Sequence, residues 1–250
     1  IYQSAWQDGQ LAVRLIRRAA KDRGFDPEKI GAIGFSAGSH MTVLLGSSSL
    51  TPAYQPIDEL DKLPCHINLA IPVYTAYALT DGLTGRNTRD GDSIDVKLTD
   101  AFKFDANTCP MALFHGGTDA YSPNGSIQIY RELRRMNIPA EIHLFADRGH
   151  GFMGDPNKGE NGTAFDHWID RITEFMRQMN FDGQLGKEVD LLSRFKSDAY
   201  RKEYRKEFIW PDGKIPDLQA KQNQPYLEWH MPKELKTKAI QIIYSGGGYG

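Results

Sequence analysis

The chain has 250 residues, of which 40% are hydrophobic and 25% charged, and its formal net charge is -2. This balance excludes the large basic surface on which nucleic-acid-binding proteins depend, and we expect no nucleic acid partner. No apolar run approaches the roughly 20 residues of a transmembrane helix, so we expect no membrane partner either. The length suits one large α/β domain or two small ones. The two cysteines, Cys65 and Cys109, are too few for a disulfide framework and are predicted to be unpaired thiols.

Predicted helices and strands alternate along most of the chain. An amphipathic helix over residues 2–23 should end at Gly24, followed by an apolar strand over 30–35 and a helix from Ala37 to about Gly46. Since strands alternate with helices, we expect βαβ units and a mostly parallel central sheet flanked by helices on both faces. The further predicted elements are strands over 66–74, 111–115 and 141–145, helices over 126–136 and 163–179, and a polar surface loop over 80–100.

The last quarter of the chain changes in character. Charge density rises over residues 183–206, which predicts a solvated helix or linker. Probable strands follow over 226–230 and 239–244, and the second runs into a glycine-rich end. The sequence therefore divides into a core over 1–182, the charged segment over 183–206, and a C-terminal segment over 207–250.

A candidate nucleophile lies between the predicted strand over 30–35 and the helix after it. The stretch Gly34-Phe35-Ser36-Ala37-Gly38 matches G-x-S-x-G, in which a sharp turn projects a serine hydroxyl from the backbone. Small residues on either side let strand and helix approach closely. The motif alone is weak, but its position between a strand and a helix favours Ser36 as the nucleophile of a serine hydrolase.

A serine nucleophile needs a base and a group that orients the base. In this fold type the chain order is serine, acid, histidine, and Asp119 and His150 follow predicted strands in that order. Asp147 competes with Asp119 because it is close to His150 in sequence. His115 ends a strand and is expected to shape the acid's loop. The remaining histidines, interpreted as surface or core residues, include His40, His66, His143 and His167.

Acyl transfer also needs hydrogen-bond donors for the oxyanion. The backbone N–H of Ala37, directly after the nucleophile, is expected to be one donor, and Gly247 or Gly248 in the terminal glycine run the other. No histidine or cysteine spacing predicts a metal site, and no glycine-rich loop predicts a phosphate site. We therefore expect no metal and no cofactor.

The same residues resemble a known family. The stretch Trp6–Gly38, the stretch Phe114–Pro123 and the stretch Gly149–Phe152 resemble the acetyl esterase and acetyl xylan esterase branch of the α/β hydrolases. Trp210–Lys214 and Tyr244–Gly248 also resemble that family, but they resemble its N-terminal portion. Relative to the family, the segment order is rotated, and a fourth strand with the first major helix is missing.

The rotated order has three interpretations: a circular permutant, a fragment that spans two domains, or an omitted stretch. Permutation is tolerated where chain termini lie on surface loops. The missing strand would leave one sheet edge unpaired, and such edges invite association. We therefore expect an α/β-hydrolase fold, permuted or incomplete, that self-associates or has a tandem neighbour.

The resemblance implies hydrolysis of a short acyl ester, acetyl above all, on xylan or a related plant polysaccharide. Such a substrate implies a secreted or periplasmic protein, although no signal peptide is visible in the sequence. Tyr74 and Tyr121 are candidate substrate-binding residues, with Tyr77 and Trp168 as further aromatic candidates, and all four also suit core or loop packing. The alternatives are a feruloyl esterase, a peptidase of the prolyl-oligopeptidase type, and a non-catalytic carbohydrate-binding module.

Overall fold

The computed structural model of the chain describes residues 2–93, 95–152, 168–181, 200–201, 206–210, 225–232 and 239–244. As far as β6, the elements are α1 (Gln3–Arg23), β1 (Ile30–Phe35), α2 (Ala37–Ser47), a 3-10 turn (Glu59–Lys62), β2 (Leu69–Val73), β3 (Leu79–Asp81), β4 (Val96–Leu98), β5 (Met111–Gly116), α3 (Asn124–Arg135) and β6 (Ala140–Phe145). The later elements are α4 (Trp168–Gln178), β7 (Tyr200–Arg201), β8 (Lys206–Phe208), β9 (Tyr226–Glu228), β10 (Met231–Pro232) and β11 (Ile240–Tyr244).

A five-stranded sheet in the order β11-β1-β2-β5-β6 forms the centre of the fold. All four pairings within it are parallel, and Ile33 of β1 lies between Ile243 of β11 and Ile71 of β2. The carboxyl ends of parallel strands meet at one edge of a sheet, which is where open α/β folds place their ligand sites. The predicted mostly parallel sheet is confirmed.

Helices cover both faces of this sheet. Side chains alternate across β5, so that Met111 and Leu113 join the core beneath α1, α2 and α3. Ala112 and Phe114 instead join the core beneath α4, together with Phe175 from that helix. A sheet buried on both faces explains why the strand sequences are continuously apolar rather than alternating.

Several predicted elements differ in their bounds from the observed ones: the strand predicted over 226–230 ends at Glu228, and the start of the helix predicted over 163–179 lies outside the described residues. The strand predicted over 66–74 is observed as the shorter β2, and the Asn68 side chain accepts a hydrogen bond from the Ile30 N–H just before β2 begins. The predicted loop over 80–100 is bordered by the antiparallel pair β3 and β4, in which Leu79 lies opposite Leu98. This pair is anchored by Leu79, which is buried.

The described parts of the C-terminal segment pack on the core of the N-terminal one. Ile209 and Trp210 form an apolar cluster with Leu11 and Leu15 of α1. The ring centroid of Trp229 lies 6.5 Å from the ring centroid of Phe25. Both parts of the chain therefore share one hydrophobic core.

Strand β11 forms one edge of the sheet, and within the described residues β1 is its only strand partner. Among the described residues the outer side of β11 thus has no strand partner, and association through this edge stays a prediction. In the predicted charged segment over 183–206, Tyr200–Arg201 form β7 and Lys206 begins β8. The rest of that segment lies outside the described residues.

Two expectations from composition can be compared with the structure. Cys65 and Cys109 are buried free thiols, as predicted. None of the described helices combines the length and the apolar character needed to cross a membrane.

Candidate active site

Ser36 lies at a sharp turn between β1 and α2. Its backbone has φ 55° and ψ -116°, in a region that non-glycine residues rarely adopt. Its N–H donates to the carbonyl of Val73 on the neighbouring strand, at 3.1 Å. A Cβ added at Gly34 would lie 2.1 Å from the carbonyl oxygen of Gly38, so only glycine permits this approach of strand and helix. The motif therefore has the strand–turn–helix context that the sequence predicted.

The structure brings His150 and Asp119 to this serine. Ser36 Oγ lies 2.7 Å from His150 Nε2, and His150 Nδ1 lies 3.0 and 2.9 Å from the two carboxylate oxygens of Asp119. An ionised carboxylate only accepts hydrogen bonds, so Nδ1 carries the proton and Nε2 accepts from the serine hydroxyl. The arrangement can therefore remove a proton from Ser36 during attack on a carbonyl group.

Backbone contacts hold the acid loop and the histidine loop together. Thr118 N–H donates to the carbonyl of Arg148 at 3.0 Å, and Gly117 N–H donates to that of Phe145 at 2.7 Å. A Cβ at Gly116 would lie 2.2 Å from the Arg148 oxygen, so glycine permits this close approach. The alternative acid, Asp147, has a side chain that is 80% exposed, and it pairs with Arg148. The geometry thus favours Asp119 over Asp147.

Asp119 is held in its ionised form despite a fully buried carboxylate. Burial alone would raise its pKa, but hydrogen bonds from the His115 and His150 side chains and from the Tyr121 N–H outweigh that effect. Together they lower the pKa of Asp119 to about 2. The carboxylate is therefore charged throughout the neutral range.

Of the other histidines that the structure describes, only His115 lies beside Asp119. His115 is fully buried beside Asp119, as the prediction that it shapes the acid loop requires. His40 is buried against Phe102, and burial lowers its pKa to about 3, so its ring is neutral. His143 stacks on Phe114, His66 is half-buried near Glu28, and His167 lies outside the described residues.

Two tyrosines flank His150. The ring centroid of Tyr74 lies 5.1 Å from that of His150, and the ring centroid of Tyr121 lies 4.9 Å from it. Tyr74 is only 6% exposed and also packs on Phe152. Burial and the nearby Asp119 charge raise its pKa to about 12, so its hydroxyl keeps its proton. Tyr121 is the more accessible of the two.

The remaining aromatic candidates have different surroundings. The ring centroid of Tyr77 lies 5.4 Å from that of Tyr121, so Tyr77 extends the group of aromatic rings beside His150. Trp168 is buried against Phe114 in the core and does not line the site. Sequence reasoning missed Arg89, whose guanidinium lies 4.6 Å from the centre of the Tyr121 ring and bonds its hydroxyl at 3.2 Å. No local signal identifies it, because the contact joins a polar loop to a residue distant in sequence.

The predicted oxyanion donors are only partly described. Ala37 is the first residue of α2, directly after Ser36, where helix N–H groups favour negative charge. Gly247 and Gly248 lie outside the described residues. Within the described part of the chain, no group of three or more histidine, cysteine or acidic residues could hold a metal ion.

Two family models match the chain in succession. The model described as BD-FAE matches residues 1–103, and that of the dienelactone hydrolase family matches residues 97–180. The first match contains Ser36, and the second contains Asp119 and His150. A search of curated proteins finds no matching sequence.

Solved structures with a similar fold include hydrolases and esterases. The acetyl ester-xyloside bifunctional hydrolase from Caldicellulosiruptor lactoaceticus is 20% identical, with a TM-score of 0.53, covering 70% of this chain and 66% of that one. A butyrate-bound thermophilic esterase from the Planctomycetes species Thermogutta terrifontis is 24% identical, with a TM-score of 0.57, covering 72% and 67%. Esterase 2 from the same species, phosphoramylated by tabun, has the same identity and TM-score and covers 73% and 66%.

These matches span about two thirds of the length of the solved chains. At such identities they show a shared fold. Together with the parallel sheet, the strand–serine–helix turn and the two family matches, they show that the chain has the α/β-hydrolase fold.

Proposed function

We propose that this chain is a serine carboxylic ester hydrolase that acts on a carbohydrate ester, with acetylated xylan or a related plant polysaccharide as its substrate. One observation carries the proposal. An unbroken line of hydrogen bonds runs from Ser36 Oγ through both ring nitrogens of His150 to the Asp119 carboxylate. That line supports acyl transfer through a covalent serine intermediate.

In the first half-reaction, Ser36 Oγ attacks the ester carbonyl while His150 Nε2 takes its proton. Asp119 stabilises the imidazolium that forms and keeps the ring in the productive tautomer. The Ala37 N–H donates to the developing oxyanion, and we assign the second donor to Gly247 or Gly248. The protonated His150 then donates its proton to the sugar oxygen, which leaves as an alcohol.

In the second half-reaction, water replaces the sugar. His150 removes a proton from the water, whose oxygen attacks the acyl carbon and forms a second oxyanion at the same donors. Collapse of this intermediate releases the carboxylic acid and returns the proton to Ser36. The net reaction consumes one ester and one water and releases the sugar alcohol and the carboxylic acid.

The substrate class rests on the site walls and on the structural neighbours. The neighbour from Caldicellulosiruptor lactoaceticus is described as an acetyl ester-xyloside hydrolase, and the Thermogutta terrifontis esterase as butyrate-bound. Tyr121 and Tyr77 have aromatic faces that suit packing against the apolar faces of sugar rings. We propose that Tyr121 and Tyr74, whose rings both contact the His150 ring, bind the substrate.

The test is hydrolysis of p-nitrophenyl acetate by the wild type and by Ser36→Ala. We expect the variant to keep its fold and lose turnover by about 10⁶-fold, since removal of a triad nucleophile has that effect in serine hydrolases. Near-wild-type turnover by Ser36→Ala would show that another group performs the chemistry. Ser39→Ala, one helical turn away and bonded to Thr75 rather than to His150, is the matched control.

Specificity is tested with the same protein on a panel of substrates. Release of acetate from acetylated xylo-oligosaccharides should exceed release of ferulate from methyl ferulate and of p-nitroaniline from a prolyl peptide anilide. Preference for ferulate would identify a feruloyl esterase, and preference for the anilide would identify a peptidase. Binding of xylan without any release would identify a carbohydrate-binding module.

A further inference from the structure

A second imidazole contacts the same carboxylate as His150. His115 is fully buried, and its Nε2 lies 3.2 Å from Asp119 Oδ2. The same nitrogen lies 2.9 Å from the carbonyl oxygen of Tyr121. The mechanism above uses His150 alone and leaves this buried polar side chain without a role.

The partners of His115 fix its hydrogen. A carbonyl oxygen and a carboxylate oxygen only accept, so Nε2 carries a hydrogen, which it donates to the Tyr121 carbonyl while lying 3.2 Å from Asp119 Oδ2. The other nitrogen, Nδ1, lies 2.8 Å from Ser126 Oγ, which is buried at the start of α3. The ring is therefore held at both nitrogens and cannot turn its Nε2–H away from the acid without losing two contacts.

The two oxygens of Asp119 are held from different sides. Oδ1 accepts the Tyr121 N–H at 2.7 Å, and Oδ2 faces His115 Nε2. Both oxygens also face His150 Nδ1. Since a carboxylate with one partner can rotate about its Cβ–Cγ bond, the two additional donors fix the plane that aims it at His150.

We propose that His115 is a positioning residue of the active site: it holds the Asp119 carboxylate in the orientation that keeps His150 directed at Ser36. The proposal rests on the proposed function for its kinetic consequences only. Its structural content, the 3.2 Å contact of His115 Nε2 with Asp119 Oδ2 that fixes the acid relative to His150, does not require turnover.

The kinetic test compares His115→Leu with His115→Gln. Leucine has no donor, and we expect kcat for p-nitrophenyl acetate to fall by about 10- to 100-fold, the range for a lost hydrogen bond to a charged group. KM should stay within about twofold, because the substrate does not touch His115. Glutamine places an amide N–H near the position of Nε2 and should restore most of the lost rate.

The control is His143→Gln on the adjacent strand β6. His143 also contacts a carboxylate, that of Glu141 at 3.2 Å, but lies outside the line of hydrogen bonds that leads to Ser36. We expect its kcat and KM to match the wild type. An equal loss in this control and in His115→Leu would show a general effect of removing a strand histidine, which would overturn the proposal.

A spectroscopic test is independent of turnover. In protein labelled with ¹⁵N-histidine, the His115 Nε2–H and His150 Nδ1–H protons should both resonate at the downfield end of the spectrum. His115→Leu should remove the first resonance and shift the second, whereas His143→Gln should change neither. If His115→Leu does not fold, Ser126→Ala, which releases Nδ1, should shift both resonances in folded protein.

These measurements separate the two possible failures. Wild-type protein without Ser36-dependent hydrolysis would contradict the proposed function, while the resonances would still decide the role of His115. A His150 N–H resonance that stays in place in folded His115→Leu, or a kcat within about twofold of wild type, would overturn the positioning role.

Discussion

Ser36 combines a strained backbone with a satisfied side chain. A non-glycine residue at φ 55° and ψ -116° is costly, and such strain persists only where the surroundings impose it. The surroundings here are the contact with Val73 on β2 and the close approach of Gly34 to Gly38. This conformation places the Ser36 hydroxyl 2.7 Å from His150 Nε2. The strain therefore lies where the proposed chemistry needs it.

The low pKa of Asp119 predicts a defined dependence of stability on pH. Against burial, its hydrogen bonds lower the pKa to about 2, below the unfolded value near 3.8. A depressed carboxylate stabilises the fold above the unfolded pKa and loses that contribution as pH falls through the folded one. The expected contribution is about 2 kcal/mol at neutral pH, lost between about pH 4 and pH 2.

Chemical denaturation of the wild type and of Asp119→Asn between pH 6 and pH 2 isolates this contribution. The wild type should be the more stable protein at pH 6, and the difference in unfolding free energy should shrink as pH falls. Asp147→Asn, which changes an exposed carboxylate, is the control and should show a small difference at every pH. If the difference in unfolding free energy between the wild type and Asp119→Asn did not vary with pH, the assignment of Asp119 as an ionised carboxylate would be wrong.

At the scale of elements, the strand β1, the turn and α2 act as one unit. An added methyl group at Gly34 would lie 2.1 Å from the Gly38 oxygen and 2.3 Å from Thr42 Oγ1, so helix and strand would have to separate. Gly34→Ala should therefore lower the unfolding free energy by about 3 kcal/mol, at the upper end for overpacking, and abolish esterase activity.

Gly31→Ala on the same strand is the matched control. Its methyl group would lie 3.0 Å from the end of the Phe181 ring, a much milder contact than the 2.1 Å approach to the Gly38 oxygen at Gly34. Urea unfolding and turnover measured side by side should show a smaller loss of stability and retained activity. Equal losses in the two variants would mean that the strand, rather than the turn, is sensitive.

Elements whose bounds depend on neighbouring residues could be predicted from the sequence, whereas those that depend on long-range contacts could not. The bounds of β1 were predictable because the serine motif fixes where the strand ends. The side-chain contact of Asn68 with Ile30 at the start of β2 joins distant parts of the chain and leaves no local pattern. The strands β3 and β4 are three residues each, too short to show a periodicity.

The same reasoning applies to the candidate site. Ser36, Asp119 and His150 were predictable because each follows a strand, and parallel strands bring those ends together. Arg89 and Ser126 were not, because their roles arise from contacts with Tyr121 and His115 that only the folded chain creates. Motif and chain order thus predict the proposed reacting groups, while the residues that contact and position them become visible only in the structure.

At the scale of the whole molecule, the C-terminal segment completes the N-terminal one. Strand β11 pairs with β1, the strand that leads to Ser36, although the two are far apart in sequence. Trp210 is 2% exposed, packs on α1 and donates to Asp8. The fold therefore depends on contacts between the two ends of this chain, and a permuted order is physically compatible with it.

Trp210→Ala tests that dependence. Because the substitution removes a buried ring and a hydrogen bond to Asp8, we expect the unfolding free energy to fall by about 3–5 kcal/mol in a single transition. Phe208→Ala, at a residue that is 54% exposed, should change stability by less than about 0.5 kcal/mol. If Trp210→Ala left the main unfolding transition unchanged, residues 207–250 would fold independently of the core over residues 1–182.

The central claim is that Ser36 forms a covalent intermediate, and trapping tests it most directly. The protein is treated with a fluorophosphonate probe, digested, and mapped by peptide mass spectrometry, beside Ser36→Ala and the Ser39→Ala control. We expect one adduct on the peptide that contains Ser36, formed by the wild type and the control and absent from Ser36→Ala. An adduct on another residue, or none in folded wild-type protein, would contradict it.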